Sequence, residues 1–253
     1  MVERVKVLIT VKTYPLPSTK YEETVCTAGV LEDGSFVRLY PIDYRNRPYH
    51  QWYEKYQWVE TTIEKNPKDP RPESYRPFDI TPIGNPLKSQ PNWEERKKYV
   101  LAKDISTMCD LEQIGDQSQV SLGIIKPKLV KDFIVEPTVR DWKPEVLTRM
   151  RQMHLFDKKR NPIEKIPYKF SYVFFCEDPA CKGHTKMIED WEVGALYRKM
   201  RDNYGDEKVA CDKVKQRFFD TMCAPGIDTH FFVGTVLEFG TWVILGVFWP
   251  KKI

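Results

Sequence analysis

The sequence has little of what would name its class at once. It has 6 cysteines in 253 residues, too few and too scattered for the disulfide framework of a small secreted domain. Glycine, at 12, is outnumbered by proline, at 19, so long irregular connections are expected beside the regular elements. The phosphate-cradling loops GxxxxGK[ST] and GxGxxG are missing. So are the nucleophile elbow GxSxG, the zinc motif HExxH, an EF-hand loop and the HxE…PCxxC pattern of nucleobase deaminases. There is no internal repeat and no low-complexity tract.

Long apolar runs are also scarce. The one that needs testing is Phe231 to Trp249, 19 residues with a single charge at Glu238. A turn-like Glu238-Phe239-Gly240-Thr241 sits in its centre, and its flanks are rich in β-branched and aromatic residues. Two buried strands of a hairpin are expected there, not a membrane span. The opening Met1-Val2-Glu3-Arg4-Val5-Lys6 carries charges where a secretory leader would be apolar. A reducing, cytoplasmic setting with no membrane partner is therefore the expectation.

Aromatic residues are plentiful: 13 Tyr, 13 Phe and 7 Trp. Apolar residues make up 41% and charged residues 30%, which suits a globular chain. The net charge of +4 is unevenly placed. Residues 1–80 carry 12 basic and 12 acidic side chains, as do residues 166–253, whereas 81–165 carry 16 and 12. A localised cation excess points toward a polyanion.

The expected fold class is α+β, in three stretches. Residues 1–80 read as a β-rich domain, a small barrel or curled antiparallel sheet, with strands at Val5–Tyr14, Thr24–Leu31, Phe36–Pro41 and Trp58–Glu64. Residues 81–165 form a basic, proline-containing middle region. Prolines through 66–92 argue for a linker or a long surface loop. Asn92 and Glu95 read as a capping box that starts a helix. Residues 166–253 read as an α+β region ordered strand, helix, helix, hairpin, with alternation over Tyr168–Cys176 and a helix stopped by Gly205.

The sharpest local signal is Cys176-x4-Cys181-x2-His184. Thiolates and imidazole are the ligands that Zn²⁺ prefers, and this spacing lets one turn present two sulfurs to one ion. Pro179 and Gly183 favour such a turn. Cys176, Cys181 and His184 are thus the candidate ligands of a zinc ion. For a fourth ligand, Cys223, His230, Asp190 and a water are all candidates. Cys211 lies on an apolar helical stripe, and Cys26 and Cys109 are too remote in sequence to weigh. The plainer alternative is a turn with two ordinary small residues. Asp190-Trp191-Glu192 adds two carboxylates nearby, which suit either a base or the first turn of a helix.

For nucleic acid, DNA or RNA, the candidate contacts are Arg149, Arg151, Lys158, Lys159 and Arg160, interleaved with apolar residues and Phe156. A solvated helix face explains the same run equally well. The leading expectation is a nucleic-acid-binding protein whose zinc is a structural staple. The alternatives are a metal-dependent, nuclease-like hydrolase using His184, Asp190, Glu192 or His230, and a protein-interaction module docking through its aromatic N-terminal half.

Overall fold

The computed structural model describes residues 2–252, apart from 19–20, 104, 116–119, 157–162 and 238–239. The N-terminal strands are β1 (Val2–Lys12), β2 (Leu16–Pro17), β3 (Glu23–Leu31), β4 (Phe36–Ile42), β5 (Trp58–Lys65), β6 (Ser74–Pro77) and β7 (Thr81–Ile83). β1 pairs with both β3 and β5, while β3–β4, β4–β6 and β6–β5 complete the ring, so five strands close into a barrel. Only the β4–β6 pairing within that ring is parallel. Closure removes the sheet edges that an open β unit would expose.

The barrel interior is filled by Val7, Ile9, Val25, Val37, Leu39 and Ile42, among others. In β1 the whole stretch Val7–Val11 is buried, with no polar face. Strands lose their alternation when both faces are covered. Here one face of β1 looks into the barrel, while Val11 packs with Leu122, Phe232 and Phe248 from the C-terminal half.

The proline-rich stretch 66–92 is more than a loop. It contributes β6, which closes the barrel, and β7, an edge strand on β5. Residues 73–76 are free of proline, and Pro77 falls at the end of its strand, where a missing amide is tolerated.

The C-terminal half holds two more sheets. β9 (Leu129–Pro137), β10 (Tyr168–Phe175) and β11 (His184–Met187) form one, in the order β11-β10-β9. β8 (Leu122–Ile125), β12 (His230–Thr235) and β13 (Trp242–Phe248) form the other, in the order β13-β12-β8. The fold is therefore mixed α and β. The expected strand-helix-helix-hairpin unit does not stand alone, because its first strand and its hairpin lie in different sheets and each needs a partner from residues 122–137.

The helices are α1 (Glu94–Val100), α2 (Met108–Gly115), α3 (Pro144–Phe156), α4 (Trp191–Tyr204) and α5 (Glu207–Lys215), the last running into a π-helical turn at Gln216–Thr221. Asp190 caps α4, accepting from the Glu192 amide, and Gly205 ends it at φ 66. Asn92 does not cap α1. Its side chain instead bonds both backbone groups of Lys251, at 2.8 and 3.1 Å, and ties this segment to the chain's other end. No helix among the described residues is long and apolar enough to cross a membrane.

Buried polar groups cross the seam between the two halves. Lys55 Nζ donates to Asp190 Oδ2 at 2.5 Å, with side-chain exposures of 10% and 1%. Burial pushes the Asp190 carboxyl up to about 6, against the pull of Lys55. Burial disfavours the Lys55 ammonium too, but Asp190 outweighs it and holds the amine above its ordinary range. The pair is ionised at neutral pH. Removing one partner leaves an uncompensated buried charge, so Lys55→Met is expected to cost about 3–5 kcal/mol in denaturant unfolding. A loss below about 1 kcal/mol would mean that the pair is dispensable to the fold.

Candidate metal centre

The Cys176–Gly183 segment connects β10 to β11, so His184 opens a strand and does not lead directly into a helix. In the β10–β11 ladder Phe174 pairs with His184, and their rings lie 5.3 Å apart. This brings His184 back beside Cys176 and Cys181. Gly183 makes the return possible. Its φ is +89, and a Cβ there would sit 2.9 Å from the Phe175 ring.

The fourth member of the group is Cys109, from the first turn of α2. Sulfur or nitrogen ligand atoms of Cys109, Cys176, Cys181 and His184 all lie within 4.8 Å of one another. His184 Nε2 is 3.3 Å from Cys109 Sγ and 3.4 Å from Cys181 Sγ. A tetrahedral zinc with bonds of about 2.3 Å to sulfur and about 2.0 Å to nitrogen sets S···N distances of roughly 3.5 Å. The group has the dimensions of a metal shell.

Local structure prepares each ligand. Thr107 and Asp110 form a reciprocal cap: Thr107 Oγ1 accepts from the Asp110 amide at 3.1 Å, and the Asp110 carboxylate accepts from the Thr107 amide at 3.2 Å. Cys109 therefore sits where the helix dipole favours a thiolate. Backbone amides also point at sulfur: Met108 N to Cys176 Sγ at 3.3 Å, Cys176 N to Cys181 Sγ at 3.3 Å and Gly183 N to Cys181 Sγ at 3.4 Å. Such bonds stabilise anionic sulfur.

The electrostatics follow from these contacts. Burial opposes ionisation of Cys181, but the amides of Cys176 and Gly183 outweigh it and draw the thiol below its usual range. Burial, with the hydrogen bond from Cys181, pushes Cys109 up to about 12. Burial also raises Cys176. It lowers His184, against the attraction of Glu112, which keeps the ring neutral at pH 7 and fit to coordinate. A divalent cation at the centre favours the thiolate form of all three cysteines.

Behind the ligands stands Glu112, one helical turn beyond Cys109. Its carboxylate is 3.4 Å from His184 Nδ1 and 2.6 Å from Lys186 Nζ. A carboxylate on the far imidazole nitrogen fixes the tautomer that leaves Nε2 free for a metal.

The other candidates for the fourth ligand are engaged elsewhere. Asp190 is committed to Lys55 and to the cap of α4. Glu192 is exposed, 3.5 Å from Lys55. His230 Nδ1 faces the Asp228 carbonyl at 3.0 Å, and Cys223 Sγ faces that of Phe218 at 3.5 Å. Cys211 is buried on α5. The carboxylates expected beside the metal are thus at the seam with the barrel.

The basic run is only partly described. Arg149 lies on α3 with its Nε buried and without a hydrogen-bond partner. Arg151 is described by its backbone alone, and Lys158, Lys159 and Arg160 fall outside the described residues. In the aromatic N-terminal half, Arg38 is buried and donates to Ser121 Oγ and O at 2.8 and 2.9 Å. Tyr53 and Tyr56 are buried as well.

Gly183→Ala tests how tightly the ligand loop is drawn. The left-handed backbone and the Phe175 contact together predict a cost of about 1–3 kcal/mol. Thermal unfolding reads this as a Tm drop of about 2–4 °C for each kcal/mol. An unchanged Tm would contradict the geometry of the loop.

Comparison with known families divides the chain at the same seam. Residues 3–102 match the domain of unknown function DUF8758, and residues 103–253 match the domain of unknown function DUF8757. No curated protein matches the chain. All four residues of the cluster, Glu112 behind it and both sheets of the C-terminal half lie within the second match. With well over half of its length in that match, the chain belongs to the DUF8757 family.

Proposed function

We propose that the chain is a zinc-stapled nucleic-acid-binding protein of the cytoplasm, in which the metal serves structure and not chemistry. The observation that carries the metal part is the closed ligand set: three sulfurs and one imidazole nitrogen within 4.8 Å of one another. Four protein ligands of this kind characterise structural zinc sites, whereas catalytic sites keep one position for water. Sulfur-rich sets also select zinc over hard cations such as Mg²⁺ or Ca²⁺.

A hydrolytic metal centre needs an open coordination position and a nearby base. Asp190 and Glu192 both sit with Lys55, which takes support from that reading. The staple has a clear mechanical role. It joins α2 to the β10–β11 hairpin across 75 residues of sequence, at the margin of the core that contains Met108, Phe174 and Cys176. The cation excess of residues 81–165 supports a polyanionic partner.

Elemental mass spectrometry of the purified protein is expected to give about one zinc per chain, lost in Cys109→Ser. Full retention of zinc in that variant would overturn the four-ligand assignment. Glu112→Gln is expected to keep the fold and weaken zinc binding about 10–100-fold in chelator competition. Stripping the metal should lower the thermal stability of the C-terminal half. Binding to nucleic acid should weaken steeply between about 50 and 200 mM salt, and a salt-independent interaction would contradict a phosphate-contacting protein.

A further inference from the structure

A cavity of about 830 Å³ opens along the seam between the barrel and the C-terminal half. We propose that it is a binding site for single-stranded nucleic acid, with bases against Trp93, Trp191 and Trp249 and phosphates on Lys12, Arg96 and Arg217. This rests on the nucleic-acid reading above and gives it a location that no described residue of α3 lines.

The first argument is the repeated pairing of cation and ring. Lys12 Nζ lies 4.6 Å from the centre of the Trp191 ring, the Arg96 guanidinium 4.7 Å from that of Trp93, and the Arg217 guanidinium 4.7 Å from that of Trp249. The three couples come from β1 and α4, from the entry to α1, and from the π-helical turn and the chain's end. Each sets a positive charge over one face of a ring, so a base would stack on the ring's other face or on the guanidinium plane while its phosphate meets the cation.

The second argument is that these cations have no carboxylate partner within 4 Å among the described residues, while charges elsewhere in the chain are widely paired. Arg96 is held in place by donating Nε to the Leu87 carbonyl at 2.8 Å, which leaves its other nitrogens to a ligand. Glu54 and Glu192 also line the cavity. Glu192 lies 3.5 Å from Lys55 and, with Glu54, also acts on Lys12, whose ammonium burial draws down to about 8, so Arg96 and Arg217 are the stronger phosphate contacts.

The third argument is backbone strain. The described non-glycine residues in the left-handed region are Tyr56, Asn92 and Trp93, at φ 63, 36 and 60. All three line this cavity. Aromatic residues such as Tyr56 and Trp93 held at positive φ cost energy, and such strain collects at ligand sites. Trp93 starts α1 from that conformation, with its ring 5.4 Å from that of Trp249.

The chemistry selects among occupants. An acidic peptide would use the cations and leave three tryptophans unexplained. Duplex nucleic acid hides its base faces, so stacking demands a single strand. The volume lies in the upper part of the range of about 300–1,000 Å³ for small-ligand sites, and three separated cations exceed what one phosphate requires. A strand segment is therefore preferred over a free mononucleotide.

Fluorescence anisotropy at low salt tests this with the full chain, using a labelled uridine oligonucleotide, the matching deoxythymidine oligonucleotide, a labelled duplex, and uridine monophosphate as competitor. The expected result is binding of single strands over duplex, weakened about tenfold or more by Arg217→Glu and by Trp249→Ala. Arg217 is exposed, so its variant keeps the fold even where loss of Trp249 disturbs packing. Lys158→Glu/Lys159→Glu, in the basic run, is expected to weaken binding less than Arg217→Glu does. Binding lost in the Lys158/Lys159 variant but kept in Arg217→Glu overturns the cleft while leaving the nucleic-acid reading intact. Preference for duplex, or competition by uridine monophosphate at concentrations matching the oligonucleotide, overturns the single-strand assignment. No binding by the wild-type chain overturns the nucleic-acid reading itself, and the cleft with it.

Discussion

The ion pair between Lys55 and Asp190 is the contact on which the arrangement of the two halves turns. Its amine comes from the barrel and its carboxylate from the residue that caps α4. One oxygen of Asp190 accepts from Lys55 and the other from the Glu192 amide, so the start of α4 cannot move without exposing a buried charge. Next to it, Thr13 bridges Asp190 through the backbone, and the Tyr14 amide donates to the Glu189 carbonyl at 3.0 Å. Further along the seam Arg38 reaches from β4 into Ser121, and the carboxylate of Glu73 accepts from both the amide and the hydroxyl of Ser121. The apolar seam of Val11, Leu122, Phe232 and Phe248 supplies burial, which is non-directional. Directional polar contacts select one register out of the many that apolar surfaces would accept. The two matched families thus meet through a fixed geometry.

Much of the fold is legible in the sequence where its signals are local. Alternation over Tyr168–Cys176 marks β10, and an apolar run broken at Glu238–Thr241 marks the final hairpin. Gly205 ends α4 as its φ requires. Expectation fails where a local signal is outbid by a distant partner. Asn92 and Glu95 have the spacing of a capping box, yet Asn92 satisfies itself on Lys251, whose backbone offers both a donor and an acceptor. Prolines mask β6 because they crowd around it, and the one that enters its pairing, Pro77, does so at the strand's last residue. β11 is short, and His184–Met187 lacks an apolar alternation of its own.

The cluster shows the same division. Cys176, Cys181 and His184 announce themselves by spacing, because one turn carries them. Cys109 does not, since its partners lie some 70 residues away and spacing rules hold only within a turn. A usable signal did exist in Thr107-Met108-Cys109-Asp110, whose capping pattern puts a cysteine in a helix's first turn, a favoured place for a thiolate. The cleft has no such trace. Its cations and rings run from Lys12 to Trp249, and no window of the sequence brings them near one another.

The two features also divide the physical work. The β10–β11 connection has charged, proline- and glycine-containing residues and little apolar surface of its own. A loop of that composition gains little from burial, and four ligand atoms within 4.8 Å of one another could hold a metal ion that ties it to α2. An ion held by all four would have no vacancy for substrate. The seam has the opposite character. Its rings and cations are held by packing and ion pairs, yet they leave aromatic surface and positive charge facing a cavity. A closed ligand cluster and an open cleft therefore answer different demands, and of the two only the cleft leaves surface facing solvent.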